Sequence, residues 1–158
     1  MTKSVTMSNN EINVKKIRKT LFWGVKLDPS NVFCNDEIQH VLNRYPHVIP
    51  LKNLHVTLLY VGRTTNPNED VITPFKYKIC TIVSNSIAFN NDAIVLRVNS
   101  LRCDGDQNII DPDRIYHVTL ALRVSVKAKD SNKVLCGEGV EMELANPITL
   151  SGPIIAYK

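Results

Sequence analysis

Hydrophobic and polar residues alternate along two similar stretches of the chain, each built around the tripeptide His-Val-Thr followed by leucine. The first tripeptide runs from His55 to Thr57 and the second from His117 to Thr119. A period of two is typical of a β-strand with one buried face, on which residues two apart point to the same side. We therefore expect His55 and Thr57 to project together from one strand, and His117 and Thr119 from another.

The rest of the pattern predicts more strands than helices. Apolar residues with helical spacing follow Asn35, a residue type that favours the N-cap of a helix, and this pattern stops at Pro46. A second helix is predicted between Asp70 and Ser84 from the spacing of its apolar residues. These elements indicate an α+β protein with two similar lobes, each containing one His-Val-Thr strand. Further strands are predicted over residues 20–28, 87–90, 93–98, 139–145 and 148–157.

The bulk composition is that of one globular domain. The chain has 158 residues, of which 44% are hydrophobic and 22% charged. We expect residues 1–14, which lack periodicity, to form a flexible leader, and residues 15–158 to form a single domain. No apolar run approaches the roughly 20 residues of a membrane span. We therefore predict a cytoplasmic monomer that needs neither a membrane nor an obligate protein partner.

Neither the cysteines nor the carboxylates form a pattern typical of a metal site. Cys34, Cys80, Cys103 and Cys136 are scattered without zinc-type spacing, and we expect them to be free thiols. The turn from Cys103 to Asp111 contains three carboxylates, but it lacks the loop length and the closing glutamate of an EF-hand. The sequence therefore predicts no metal and no cofactor. The net charge of +4 agrees with an anionic ligand without identifying one.

Two histidines and two threonines suit the chemistry of a phosphodiester. One imidazole can take a proton from the attacking oxygen while the other gives a proton to the leaving oxygen, because a histidine pKa near 6.5 allows both forms at one pH. Threonine hydroxyls can donate hydrogen bonds to the non-bridging phosphate oxygens, where charge builds up in the transition state. We expect the two pairs to face each other across a cleft, and the sequence leaves open which histidine is the acid.

The paired His-Val-Thr strands resemble the 2H phosphoesterase superfamily, the LigT-like phosphodiesterases with two His-x-Thr or His-x-Ser motifs. The resemblance covers residues 20–157 and implies a bilobal α+β fold of mostly antiparallel sheet, with helices outside and the motifs lining a central groove. It implies catalysis without a metal, with His55 and His117 as the acid/base pair and Thr57 and Thr119 as phosphate ligands.

Members of that superfamily differ in substrate. The compact viral and phage members cut 2′-5′ oligoadenylate or cyclic dinucleotide immune signals, and by analogy with them we expect cleavage of a 2′-linked phosphodiester, in a host cytoplasm if the chain is viral. Other members open 2′,3′-cyclic phosphates on RNA ends or small nucleotides, and this reaction is the alternative. A non-catalytic nucleotide- or RNA-binding module and a structural domain with coincidental motifs also remain open.

Three residues are predicted to bind substrate outside the motifs. Arg123 shares a face with His117 if the strand stays regular, and Lys52 precedes the first motif. Trp23 could stack on a base, with packing in the core as the alternative. Tyr60 and Tyr116 have the opposite parity to the motif residues, so we do not expect them in the site.

Overall fold

Eight strands with short helices between them make up residues 19–103, 111 and 113–158, the part of the chain that the computed structural model describes. The α-helices are α1 (Pro29–Phe33), α2 (Asp36–Arg44) and α3 (Glu69–Ile72), and the 3-10 helices are Thr73–Phe75 and Ala128–Cys136, the second of which we name the cap helix. The strands are β1 (Phe22–Leu27), β2 (Val48–Pro50), β3 (Leu54–Tyr60), β4 (Ile79–Phe89), β5 (Ala93–Val98), β6 (Ser100–Cys103), β7 (Tyr116–Arg123) and β8 (Val140–Tyr157).

Six antiparallel strands close into a barrel in the order β7, β3, β1, β8, β4 and β5, because β5 pairs again with β7. Strand β2 extends this sheet beside β7, and β6 pairs with β4. The prediction of a bilobal α+β fold with helices outside two sheets is therefore wrong. The strands of both expected lobes belong to one closed sheet, and the motif strands β3 and β7 are direct neighbours in it.

The predicted helix between Asp70 and Ser84 is also wrong. Only Glu69–Ile72 is α-helical, and β4 begins at Ile79. From there Cys80, Ile82 and Ser84 are buried, in the alternation of a strand with one face in the core. Since β4 pairs with both β6 and β8, partners distant in sequence decide its conformation.

Helix α2 forms as its sequence predicts. The Asn35 side chain accepts a hydrogen bond from the backbone N–H of Ile38 at 3.0 Å, which caps the first turn. Ile38 and Val41 are fully buried, and with Leu42 they pack into the barrel's core. The core also takes the inward residues of β1, β3 and β7, so the opposite face of these strands is available for a site.

The cysteine prediction is half wrong. Cys80 and Cys103 lie directly opposite each other on β4 and β6 and form a buried disulfide, whereas Cys34 and Cys136 are exposed free thiols. The two cysteines are 23 residues apart in the sequence and are brought together by the register of β4 and β6. The spacing of cysteines in the sequence does not reveal this pairing. A disulfide is more common in oxidising compartments than in the cytosol, so the predicted cytoplasmic location stays a prediction.

Some predictions fall outside the described residues. The leader at residues 1–14 lies there, as do residues 104–110 of the carboxylate-rich turn. Within the described part, no helix is long and apolar enough to cross a membrane.

Candidate active site

Both His-Val-Thr motifs meet where β3 and β7 pair. These antiparallel strands are matched at Val56 and Val118, both of which are fully buried. Because the strands are antiparallel, the neighbours of this pair are matched in opposite directions: His55 lies opposite Thr119, and Thr57 lies opposite His117. All four side chains are half-buried and lie on the face opposite the core. We call His55, Thr57, His117 and Thr119 the quartet.

The repeat in sequence is also a repeat in backbone geometry, because each motif strand carries a β-bulge at the leucine after the threonine. Leu58 has no partner on β1, and Leu120 has none on β5. The carbonyl of Leu58 accepts a hydrogen bond from the Arg114 guanidinium at 2.6 Å, and that of Leu120 accepts one from the Leu51 N–H at 2.9 Å. The carbonyl groups of both bulged leucines therefore still accept hydrogen bonds. Beyond each motif, the alternation of side chains between the two faces of the sheet is shifted by one residue.

The bulge at Leu120 explains why Arg123 does not join the quartet. One extra residue reverses the faces of everything that follows it on a strand, so the parity that links Arg123 to His117 in the sequence is lost. Arg123 instead forms an ion pair with Asp92 at 2.7 Å, at the end of β7 beside Val48. The predicted role of Arg123 in substrate binding does not fit this position.

The structure buries one of the other two predicted substrate-binding residues, Trp23, and exposes the second, Lys52. Trp23 is only 4% exposed, and its indole N–H donates to Glu69 at 2.8 Å, so it is a core residue that cannot stack on a base. Lys52 is exposed in the bend before β3. Tyr116 is buried and Tyr60 is 65% exposed at the strand end.

Aromatic rings surround His55. The rings of Phe22 and Tyr157 stack on each other, with their centroids 4.4 Å apart. The centroid of the His55 imidazole lies 4.8 Å from that of Phe22 and 5.3 Å from that of Tyr157. Gly24 makes room for them, since a Cβ there would lie 2.8 Å from the Val56 carbonyl oxygen and 3.3 Å from the Tyr157 ring. Sequence analysis missed this wall, although the opposite parity of Phe22 and its neighbour Trp23 indicates that only one of them is core.

A hydroxyl group takes the corresponding place beside His117. Ser131 of the cap helix lies 2.7 Å from the Thr119 hydroxyl and 3.4 Å from Nε2 of His117. Residues 127–133 contain three lysines, a composition typical of an exposed basic loop, and this pattern does not indicate that Ser131 contacts the motif residues. The available signal is its spacing of three and four residues from Val134 and Leu135, which are buried with it.

Both quartet histidines favour the neutral form. Burial lowers the pKa of His55, while burial, the Arg114 charge and the proximity of His55 together lower the pKa of His117 to about 4. Both rings are therefore uncharged at neutral pH in the free protein. An anion bound between them would raise both pKa values, because it favours the protonated form.

Comparison with known proteins finds a structure of similar fold but no matching family or curated sequence. No protein-family model and no curated protein sequence matches the chain. A solved structure described as a fungal RNA kinase is similar, with a TM-score of 0.64 at 16% sequence identity. The match covers 99% of this chain and 49% of that one, so this chain spans about half the length of the kinase structure. Identity this low shows a shared fold and carries over no activity.

Proposed function

We propose that the quartet is the active site of a 2H-type phosphodiesterase that cleaves 2′-linked phosphodiester bonds without a metal. One observation carries the proposal: the pairing of Val56 with Val118 sets two His-x-Thr motifs against each other on one half-buried face. For a structural domain with coincidental motifs, a shared face and matched register would be an additional coincidence.

The register suits acid/base catalysis on a phosphate. His55 and His117 are diagonal neighbours across the two strands, a relation in which the residues are roughly 7–8 Å apart and their Cβ atoms somewhat closer. Imidazoles at that separation can reach opposite sides of one phosphorus atom, one to activate the nucleophile and one to protonate the leaving oxygen. The threonine across from each histidine can donate a hydrogen bond to a non-bridging oxygen.

The surroundings of the quartet favour a nucleotide as substrate. The stacked rings of Phe22 and Tyr157 form an aromatic wall beside His55, and a base can stack on such a surface. The fold shared with a fungal RNA kinase is compatible with a nucleotide or RNA substrate. An RNA substrate would suit the second candidate reaction, the opening of 2′,3′-cyclic RNA ends. Cleavage of a cyclic dinucleotide or of 2′-5′ oligoadenylate remains the first, with a cytoplasmic monomer as the expected form.

A substrate panel tests the proposal. The protein is incubated in EDTA with 2′,3′-cyclic GMP-AMP, with 2′-5′ oligoadenylate and with an RNA that ends in a 2′,3′-cyclic phosphate. Turnover of either of the first two is expected. Turnover of the RNA end alone would show that the substrate is a 2′,3′-cyclic RNA end and would still agree with two-histidine acid/base catalysis. Nucleotide affinity without turnover of any of the three would favour a binding module.

The two lowered pKa values predict an acidic optimum for kcat/KM. Below about pH 4 both histidines of the free enzyme are protonated and no base is left. Above the pKa of His55, which lies under 6.5, both are neutral and no acid is left. A bell-shaped profile is therefore expected, with its maximum between these values and its two limbs belonging to the coupled pair.

Initial rates at low substrate concentration, measured from about pH 3.5 to 8, check this expectation. The maximum of kcat should lie at higher pH than that of kcat/KM, because the bound phosphate raises both pKa values. A kcat/KM that still rises above about pH 7 would contradict the assignment of the pair.

A further inference from the structure

Ser131 is one of two polar residues that the described part of the chain buries completely; the other is Ser84. A buried hydroxyl is costly unless it is hydrogen-bonded. Ser84 meets this need within its own strand, by donating to the Ser86 carbonyl at 3.1 Å. Ser131 meets it with Thr119 and His117 of the quartet and with the Ala128 carbonyl.

The direction of each hydrogen bond at Ser131 follows from counting protons. The carbonyl of Ala128 can only accept, so in the free protein the Ser131 hydroxyl donates to it, at 2.7 Å. The two lone pairs of Ser131 then accept, one from the Thr119 hydroxyl at 2.7 Å and one from Nε2–H of His117 at 3.4 Å. When a phosphate binds, the Thr119 hydroxyl donates to a non-bridging oxygen, and the Ser131 hydroxyl turns to donate to Thr119, since either hydroxyl can be the donor of this pair. The contact therefore orients Thr119 and favours the His117 tautomer that carries its proton on Nε2.

The two motifs, which are alike in sequence, thus differ in their support. His55 is held by the rings of Phe22 and Tyr157, whereas His117 shares a hydroxyl with Thr119. That hydroxyl comes from the cap helix, which packs on the outer face of the barrel through the buried side chains of Val134 and Leu135. An element outside the two motif strands therefore contributes to the geometry of the second motif.

We propose that Ser131 is a positioning residue of the active site, which holds Thr119 and His117 in the orientation that binds and cleaves the phosphate. This proposal rests on the phosphodiesterase function proposed above. Ser131 acts through Thr119 and His117, so its effect on catalysis depends on theirs.

The variant Ser131→Ala removes the hydroxyl with almost no change in volume, and Ser84→Ala is its matched control. Ser131→Ala is expected to lower kcat/KM by about 10- to 100-fold, the scale of the loss when the hydrogen-bond partner of a buried polar group is removed. Ser84→Ala is expected to keep the wild-type value. Thr119→Val completes a double-mutant cycle: if Ser131 acts through Thr119, Ser131→Ala should cost little further activity in the Thr119→Val background.

A measurement without substrate separates this proposal from the proposed function. In histidine-selective ¹⁵N NMR, Ser131→Ala should move the Nε2 resonance of His117 and leave that of His55 in place, while Ser84→Ala moves neither. An unmoved His117 resonance overturns the proposal, and so do losses that multiply in the double mutant. A moved resonance in a protein that is inactive on every probe contradicts the proposed function and leaves the positioning contact standing.

Discussion

Replacing His55 or His117 by alanine is expected to lower kcat by about 10²- to 10⁴-fold, the contribution of a well-placed general acid or base. Each ring supplies one of the two proton transfers, so either loss should stop most turnover. The double variant is expected to be little worse than the more damaged single variant, because residues that act as a unit are strongly non-additive. Initial rates on the substrate that the panel identifies provide the measurement.

His40→Ala is the matched control for these variants, since His40 is exposed on α2 and lies outside the quartet. It should retain the wild-type kcat. Thermal melts of the variants show whether an inactive protein is still folded. Turnover that survives in folded His55→Ala and folded His117→Ala would contradict the assignment of the quartet.

Gly152→Ala is expected to have the largest effect on stability. A Cβ at Gly152 would overlap the backbone carbonyl oxygen of Lys26, which belongs to the neighbouring strand β1 and cannot turn aside as a side chain could. Overpacking against backbone in a closed barrel should cost about 3 kcal/mol or more of the free energy of unfolding. For a domain of this size that loss lowers Tm by roughly 6–12 °C.

Ser151→Ala is the control for that prediction. Ser151 is exposed next to Gly152, and its hydroxyl contacts only Thr81 Oγ1, at 3.1 Å, among the described residues. Its loss should change the free energy of unfolding by no more than about 0.5 kcal/mol. Differential scanning fluorimetry of both variants gives the comparison. Equal melting temperatures would mean that β1 and β8 approach each other less closely at this point.

The two-residue period of the motif strands predicted which side chains share a face, but it did not predict that the strands close into a barrel. The alternation around His55 and His117 correctly placed each histidine on the same face as its threonine, because each motif spans only three residues and ends before the β-bulge. Barrel closure depends on the pairing of β5 with β7, and no periodicity records which strands will meet. The same limit hid the disulfide between Cys80 and Cys103.

The residues around the quartet show where parity fails. Arg123 was predicted by counting along β7, and the single unpaired residue Leu120 reverses that count. Ser131 reaches the quartet from a separate helix, so counting along the motif strand could not find it. Counting alternate residues along a strand therefore predicts which side chains share a face only as far as the first β-bulge.

Cleavage specific to a 2′ linkage can be measured with two isomers that differ only in the linkage, the 2′-5′ and 3′-5′ dinucleotides of adenosine, each incubated with the protein in EDTA and followed by chromatography. A metal-independent 2′-phosphodiesterase consumes the 2′-5′ isomer and leaves the 3′-5′ isomer intact. Equal cleavage of both isomers, or cleavage that EDTA abolishes, would contradict the proposed function.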